Sequence, residues 1–230
     1  GNFDIKGSEN PQLAYDFGID SLNLDEYSSI AEGQGGPDSQ SDNPAQAFGI
    51  FFVLPGGGDL SIGKLVASGL TVTDIKVKTI ADASAIRMIP ISSNLYGGQQ
   101  QGDIKLDISG SRPILTSNQV LTGVQLEDLL NDLNGNARLQ GTADLYMKIR
   151  TDLTSSEIAR RTLSGDIGLS VIDGAIMGVD VADTISTIQS ALGQQSTSTD
   201  AADQGKKTEF GELIVTGIFD QGILRSDDLS

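Results

Sequence analysis

The sequence contains no cysteine, no histidine and no tryptophan. Without histidine, Ser-His-Asp and Cys-His catalysis and imidazole-bound zinc are excluded; without cysteine, so are thiolate nucleophiles, iron–sulfur clusters and disulfides. Positive charge is scarce too: 15 Lys+Arg face 31 Asp+Glu, a net charge of -16. Such a balance repels phosphate backbones, which argues against nucleic acid as a partner, and it disfavours unaided adhesion to anionic membranes. No run approaches the ~18 apolar residues of a membrane helix. Gly1-Asn2-Phe3-Asp4 carries neither a charged n-region nor an apolar h-region. The chain starts on a strand-like pattern and stops at Asp227-Asp228-Leu229-Ser230, so a segment of a longer protein is expected.

What is abundant is glycine, 28 of 230 residues, against a usual share of ~7%. With only 5% aromatics, this profile suits many strands joined by tight turns, and 38% hydrophobic residues suffices for a core. Period-two alternation is clearest at Leu13, Tyr15, Phe17 and Ile19, with Ala14, Asp16, Gly18 and Asp20 on the other face. It returns at Ile104, Leu106 and Ile108, at Leu145, Met147 and Ile149, and from Leu163 to Val171. Together with weaker runs at 60–66, 70–79, 85–91, 210–218 and the end of the chain, about ten strands are expected.

Three segments switch to helical spacing. Leu126, Leu129, Leu130 and Leu133 form one stripe. Thr154 and Glu157 have capping-box spacing ahead of Ile158. Val181, Ile185, Ile188 and Leu192 recur at helical intervals before Gly193. Residues 31–47 and 193–209 lose the apolar pattern and are expected to be disordered loops. The whole, residues 1–230, reads as a mainly β domain: a curved, mostly antiparallel sheet, an open groove or sandwich-like, with about three short helices.

Chemical motifs are few. Pro55-Gly56-Gly57-Gly58 lacks the Lys-Ser/Thr of a phosphate loop and reads as a turn. Asp132, Asn134 and Asn136 resemble the start of a calcium loop without its downstream bidentate Glu. Glu127-Asp128 and Asp227-Asp228 are adjacent in sequence, so their carboxylates diverge instead of converging on one bond. No catalytic residue, metal or cofactor is assigned. Ten strands at about 4.8 Å make a sheet roughly 50 Å across, which three helices of 10–12 Å width would not cover. The rest of the apolar face must fold on itself, meet a neighbouring segment, or stay open for an apolar ligand.

An ordered set of short motifs carries a resemblance. Leu60-Ser61-Ile62-Gly63-Lys64-Leu65, Ala67 to Asp74 and Leu95-Tyr96-Gly97-Gly98 are followed by Leu121 to Leu126, Leu129 to Leu133, Leu139 to Leu145, Leu163-Ser164-Gly165, Asp173 to Val179, Lys207 to Leu213 and Asp227-Asp228-Leu229. With Leu22-Asn23-Leu24-Asp25-Glu26-Tyr27, the run resembles the C-terminal periplasmic region of AsmA-family proteins; Met177, Asp180 and the loop from Gly193 to Gln204 depart from the pattern. The resemblance implies a periplasmic body tethered to the inner membrane by an N-terminal helix outside this segment, and a non-enzymatic role in lipid transfer or envelope homeostasis. Phospholipid acyl chains would then lie along Leu13, Tyr15, Phe17, Ile19, Ile104, Leu106, Ile108, Leu145, Met147 and Ile149, on the way between inner and outer membranes. The alternative is a scaffold or assembly factor that influences outer-membrane protein insertion without carrying lipid, in contact with envelope protein partners. An envelope hydrolase has little in the residue inventory to support it.

Overall fold

The structure, a computed structural model, describes residues 1–6, 12–26, 55–135, 137–177 and 207–226. Eleven strands form one open sheet in sequence order: β1 (Asn2–Lys6), β2 (Gln12–Asn23), β3 (Gly56–Ala67), β4 (Leu70–Ala81), β5 (Ala85–Leu95), β6 (Gly98–Asp107), β7 (Ile114–Gln125), β8 (Leu139–Asp152), β9 (Ser164–Met177), β10 (Lys207–Asp220) and β11 (Ile223–Arg225). Helix α1 (Leu126–Asn134) follows β7 and α2 (Ser156–Thr162) follows β8. Every pairing is antiparallel except β2 with β3, which residues 24–55 separate, a stretch long enough for the crossover that parallel strands require. The tightest hairpins use two left-handed residues, Ser68-Gly69 (φ 53° and 78°) and Tyr96-Gly97 (φ 46° and 78°), whose twist matches that of their strands.

Register decides what the alternation builds. Tyr15 lies beside Gly58, which faces Thr79, then Met88, Ile104, Ser117, Ile149, Gly165 and Phe219. Two residues along, the row reads Phe17, Leu60, Val77, Ile91, Gly102, Gln119, Met147, Ile167 and Gly217. Cross-strand partners share a face, so the alternating runs merge into one apolar face from β2 to β10. An extra residue in β5 at Ile89-Pro90 keeps Met88 and Ile91 on that face, because Pro has no N–H to give a ladder.

Helices α1 and α2 lie on this face, at opposite strand ends. Helix α1 sets Leu126, Leu129 and Leu130 on Ala143, Leu169, Val171 and Phe210. Helix α2 sets Ala159 over Ala81, Ile86, Leu106 and Leu153. Of the large side chains, Ile86, Leu106 and Val171 are the ones fully enclosed among the described residues.

Several expectations change. Gly56-Gly57-Gly58 is the start of β3, not a turn: the β2 backbone and the Tyr15 ring lie where a Cβ at Gly56 or Gly58 would sit. Lys207, Thr208 and Glu209, placed in a polar loop by composition, open β10 because Met177, Ile176 and Ala175 offer them a ladder. Thr154 is not the cap of α2; the Ser155 hydroxyl accepts from the Ile158 N–H at 3.2 Å. The strands among the described residues number eleven, β7 being one that polar Thr116, Ser117, Asn118 and Gln119 disguise. Residues 31–47 and the helix expected at Val181, Ile185, Ile188 and Leu192 lie outside the described residues.

The enclosed and open parts of the face should differ in energetic weight. Leu106→Ala is expected to lower unfolding free energy by about 3 kcal/mol and Met147→Ala by less than about 1 kcal/mol, because a cavity penalty applies to a sealed site alone. Urea unfolding of the two variants measures both.

Candidate functional site

Between α1 and α2 the apolar face is a corridor with a sheet floor and helical ends. Along β8, Thr151 touches α2 through a bond from its hydroxyl to the Ala159 carbonyl (2.6 Å), and Ala143 lies under α1. At roughly 3.4 Å per residue these points are about 27 Å apart, leaving roughly 15 Å clear once the helix radii are subtracted. Across the strands, the eight spacings from β2 to β10 make the floor about 38 Å long. No described element packs over its middle.

The ten residues expected from alternation divide accordingly. Phe17 and Ile19 are 41% and 38% exposed, and Tyr15, Ile104, Leu145, Met147 and Ile149 are half-buried, all on the corridor floor. Tyr15 and Phe17 stand with ring centroids 5.8 Å apart. Leu106 is wholly enclosed, Leu13 is buried, and Ile108 packs on the cluster under α2, so these three belong to the interior of the fold. The floor also includes residues that sequence reading did not nominate, among them Leu60, Val77, Met88, Ile91, Leu121 and Ile167. Their alternation was visible in part; the pairing that sets them beside Tyr15 and Met147 was not.

Charge is segregated to the other face. Lys105 pairs with Asp107 (2.8 Å) and Arg87 with Asp82 (2.7 Å), and both carboxyls are held well below the usual range. For Asp107 the main cause is the Lys105 hydrogen bond, for Asp82 the Ser84 hydroxyl and then Arg87. That face has hollows near its C-terminal edge. One of about 1150 Å³ is lined by Tyr146, Lys148, Asp166, Ile218 and Arg225, and a smaller apolar one of about 230 Å³ by Val120, Tyr146, Gly168 and Ile214. The smaller one is also lined by Leu121 and Leu145, and the larger by Gly217 and Phe219, residues of the corridor rows. No three potential metal ligands converge among the described residues.

Polar contacts fix the ends of the corridor. At the α1 end, the Tyr96 hydroxyl donates to Asp132 (2.7 Å) and accepts from the Thr71 N–H (3.1 Å). Burial, with Asp132 adding to it, pushes the Tyr96 phenol up, so it remains a donor across the neutral range. Asp25 grips the β3–β4 hairpin through the N–H groups of Ser68 (2.6 Å) and Gly69 (2.9 Å). At the α2 end, buried Asp152 accepts from the N–H (2.9 Å) and hydroxyl (2.5 Å) of Thr154. Its second oxygen lies 3.3 Å from Arg112, close enough for charge attraction but without hydrogen-bond alignment.

A model of the AsmA family matches residues 52–229, from just before β3 to the end of the sheet. The chain belongs to the AsmA family. The match leaves out β1, β2 and the Leu22 to Tyr27 motif, so the Tyr15–Ile19 part of the floor lies outside it in this AsmA-family chain. No curated protein and no solved structure matches it.

Asp152 makes the α2 end testable by pH. The Thr154 hydroxyl bond is the largest cause of its lowered pKa, outweighing the opposing effect of burial. A folded-state pKa below the unfolded value of about 3.9 adds stability above that pH, which is lost as pH falls through the folded value. Asp152→Ala is therefore expected to cost roughly 1–3 kcal/mol at pH 7, and the gap to the unsubstituted protein should narrow below pH 4 in pH-dependent urea unfolding.

Proposed function

We propose that this AsmA-family chain is a non-enzymatic carrier of phospholipid in the cell envelope, its corridor sheltering acyl chains while headgroups stay in water. One observation carries the reading: a sheet face built of aligned apolar rows, some 38 Å by 15 Å, has no second layer over it among the described residues. Exposed apolar patches of that extent are uncommon on soluble proteins without a binding role.

The energetics fit a carrier. Each buried methylene contributes about 0.8 kcal/mol, so a floor that shelters roughly ten of them offsets most of the cost of taking an acyl chain out of a bilayer. Apolar contact is non-directional, which lets a chain slide from one row to the next without a fixed register. The excess negative charge of the protein discourages its body from lying on anionic lipid surfaces. Family membership supports the envelope as its setting. A periplasmic body, an inner-membrane tether outside this segment and exchange with the inner and outer membranes belong to the same proposal.

The test is whether lipid travels with the protein. Native mass spectrometry of the purified full chain is expected to show adducts of phospholipid mass, lost in the Ile104→Asp, Met147→Asp double variant. Both positions are half-buried on the open floor, where the new carboxylates keep contact with water, so the variant should remain folded in urea unfolding, at somewhat lower stability. A protein that emerges dry, and stays dry when offered phospholipid vesicles, overturns the carrier reading in favour of a scaffold.

A further inference from the structure

Apart from buried Thr79 on β4, the polar side chains of the corridor rows gather at one place. On β5, β6 and β7 the side chains of Ser93, Gln100, Gln119 and Ser117 join in a single hydrogen-bonded ladder. The Ser93 hydroxyl donates to Gln100 Oε1 (3.0 Å), Gln100 Nε2 donates to Gln119 Oε1 (2.5 Å), and Gln119 Nε2 donates to Ser117 Oγ (2.9 Å) and to the Asp103 carbonyl (3.1 Å). The register puts all four on the corridor side: Ser93 faces Gln100, which faces Leu121, Gln119 faces Met147, and Ser117 lies between Ile104 and Ile149. Glycine makes room for the ladder. A Cβ on Gly102, directly opposite Gln119, would collide with the Gln119 amide.

Polar groups set into an apolar surface cost free energy unless they are paired, and pairing here is deliberate but incomplete. A glutamine amide offers two N–H donors and a serine hydroxyl one. Gln119 spends both of its N–H groups within the ladder, whereas Gln100 spends one. Ser117 acts as acceptor for Gln119, and its own proton has no acceptor among the described residues. Among the described residues two donors are thus left: the second N–H of half-buried Gln100, which reaches the floor surface, and the O–H of Ser117, which is only 5% exposed and lies beneath it. The aligned rows of the floor hold no Lys, Arg, Asp or Glu to meet an ion. Donors without charge, set between two apolar stretches, suit an uncharged acceptor on a molecule that is otherwise hydrocarbon.

We propose that the Ser93–Gln100–Gln119–Ser117 ladder is a recognition site for the ester carbonyls of a diacyl lipid, holding the glycerol region at the middle strands while the chains extend over the apolar stretches beside it. A charged carboxylate or phosphate would find no counter-ion on the floor and stays at the open side. The ladder gives a sliding cargo one preferred stop. This assignment rests on the carrier reading and adds a chemical class to it: ester-linked lipids over ether-linked ones.

The experiment compares two probes that differ only in that linkage: diester phosphatidylethanolamine and its diether analogue with the same chains, titrated into the full chain from mixed micelles and followed by native mass spectrometry. The diester is expected to bind about fivefold more tightly, the factor that one net neutral hydrogen bond supplies. Gln100→Leu with Gln119→Leu should bring the two lipids to parity by weakening the diester alone. Equal binding of the two probes by the unsubstituted protein overturns the ladder assignment and leaves the corridor as a carrier surface. Binding of neither overturns the carrier reading itself, and the ladder with it. The unsubstituted comparison decides the point even where the double variant fails to fold.

Discussion

The constraint on which the rest depends is the one-sidedness of a wide sheet. Backbone pairing ties eleven strands into a single layer, and period-two alternation sends the continuous apolar rows to one side of it and most of the charge to the other, where Val120, Tyr146, Ile214 and Ile218 also stand exposed. A layer of this kind must normally bury its apolar side against a second one. Here the described covering consists of two short helices at opposite strand ends. Enclosed core therefore exists where a helix meets the sheet, around Leu106 and around Val171, and the floor between them is left for something else.

The polar interactions make sense as supports for that arrangement. The Tyr96–Asp132 bond and the Asp25 grip on Ser68 and Gly69 hold one end of the corridor, while Asp152 with Thr154, and Thr151 with Ala159, hold the other. None of these groups lies in mid-floor. They keep short helices in place that would be too short to persist by themselves. The ladder on β5 to β7 is different in kind, since it lies between apolar rows and supports neither helix.

Much of the fold was legible because alternation is local. Leu13 to Ile19 and Leu145 to Ile149 identify their strands without reference to any neighbour, and the leucine stripe at 126–133 identifies α1. Reading failed where a neighbour decides. The three glycines at 56–58 look like a turn until β2 is placed against them, and β7 shows no clean alternation of its own until its ladders with β6 and β8 are placed. Lys207 to Glu209 are polar by composition yet extended because β9 offers them partners. Family motifs were readable in order along the chain for the same reason as the strands: each is a short local pattern.

The sequence by itself determined the class of architecture, the absence of thiol and imidazole chemistry, the negative charge and the residues with an apolar side to present. All of these follow from composition and from spacing within a few residues. Only the tertiary structure decided which of those residues face a ligand and which face a helix. Leu106 and Met147 have the same alternation, but α2 closes over the first and nothing described closes over the second. Register made the further choice of bringing Ser93, Gln100, Gln119 and Ser117 together, because pairing between strands is a long-range property that no single strand encodes.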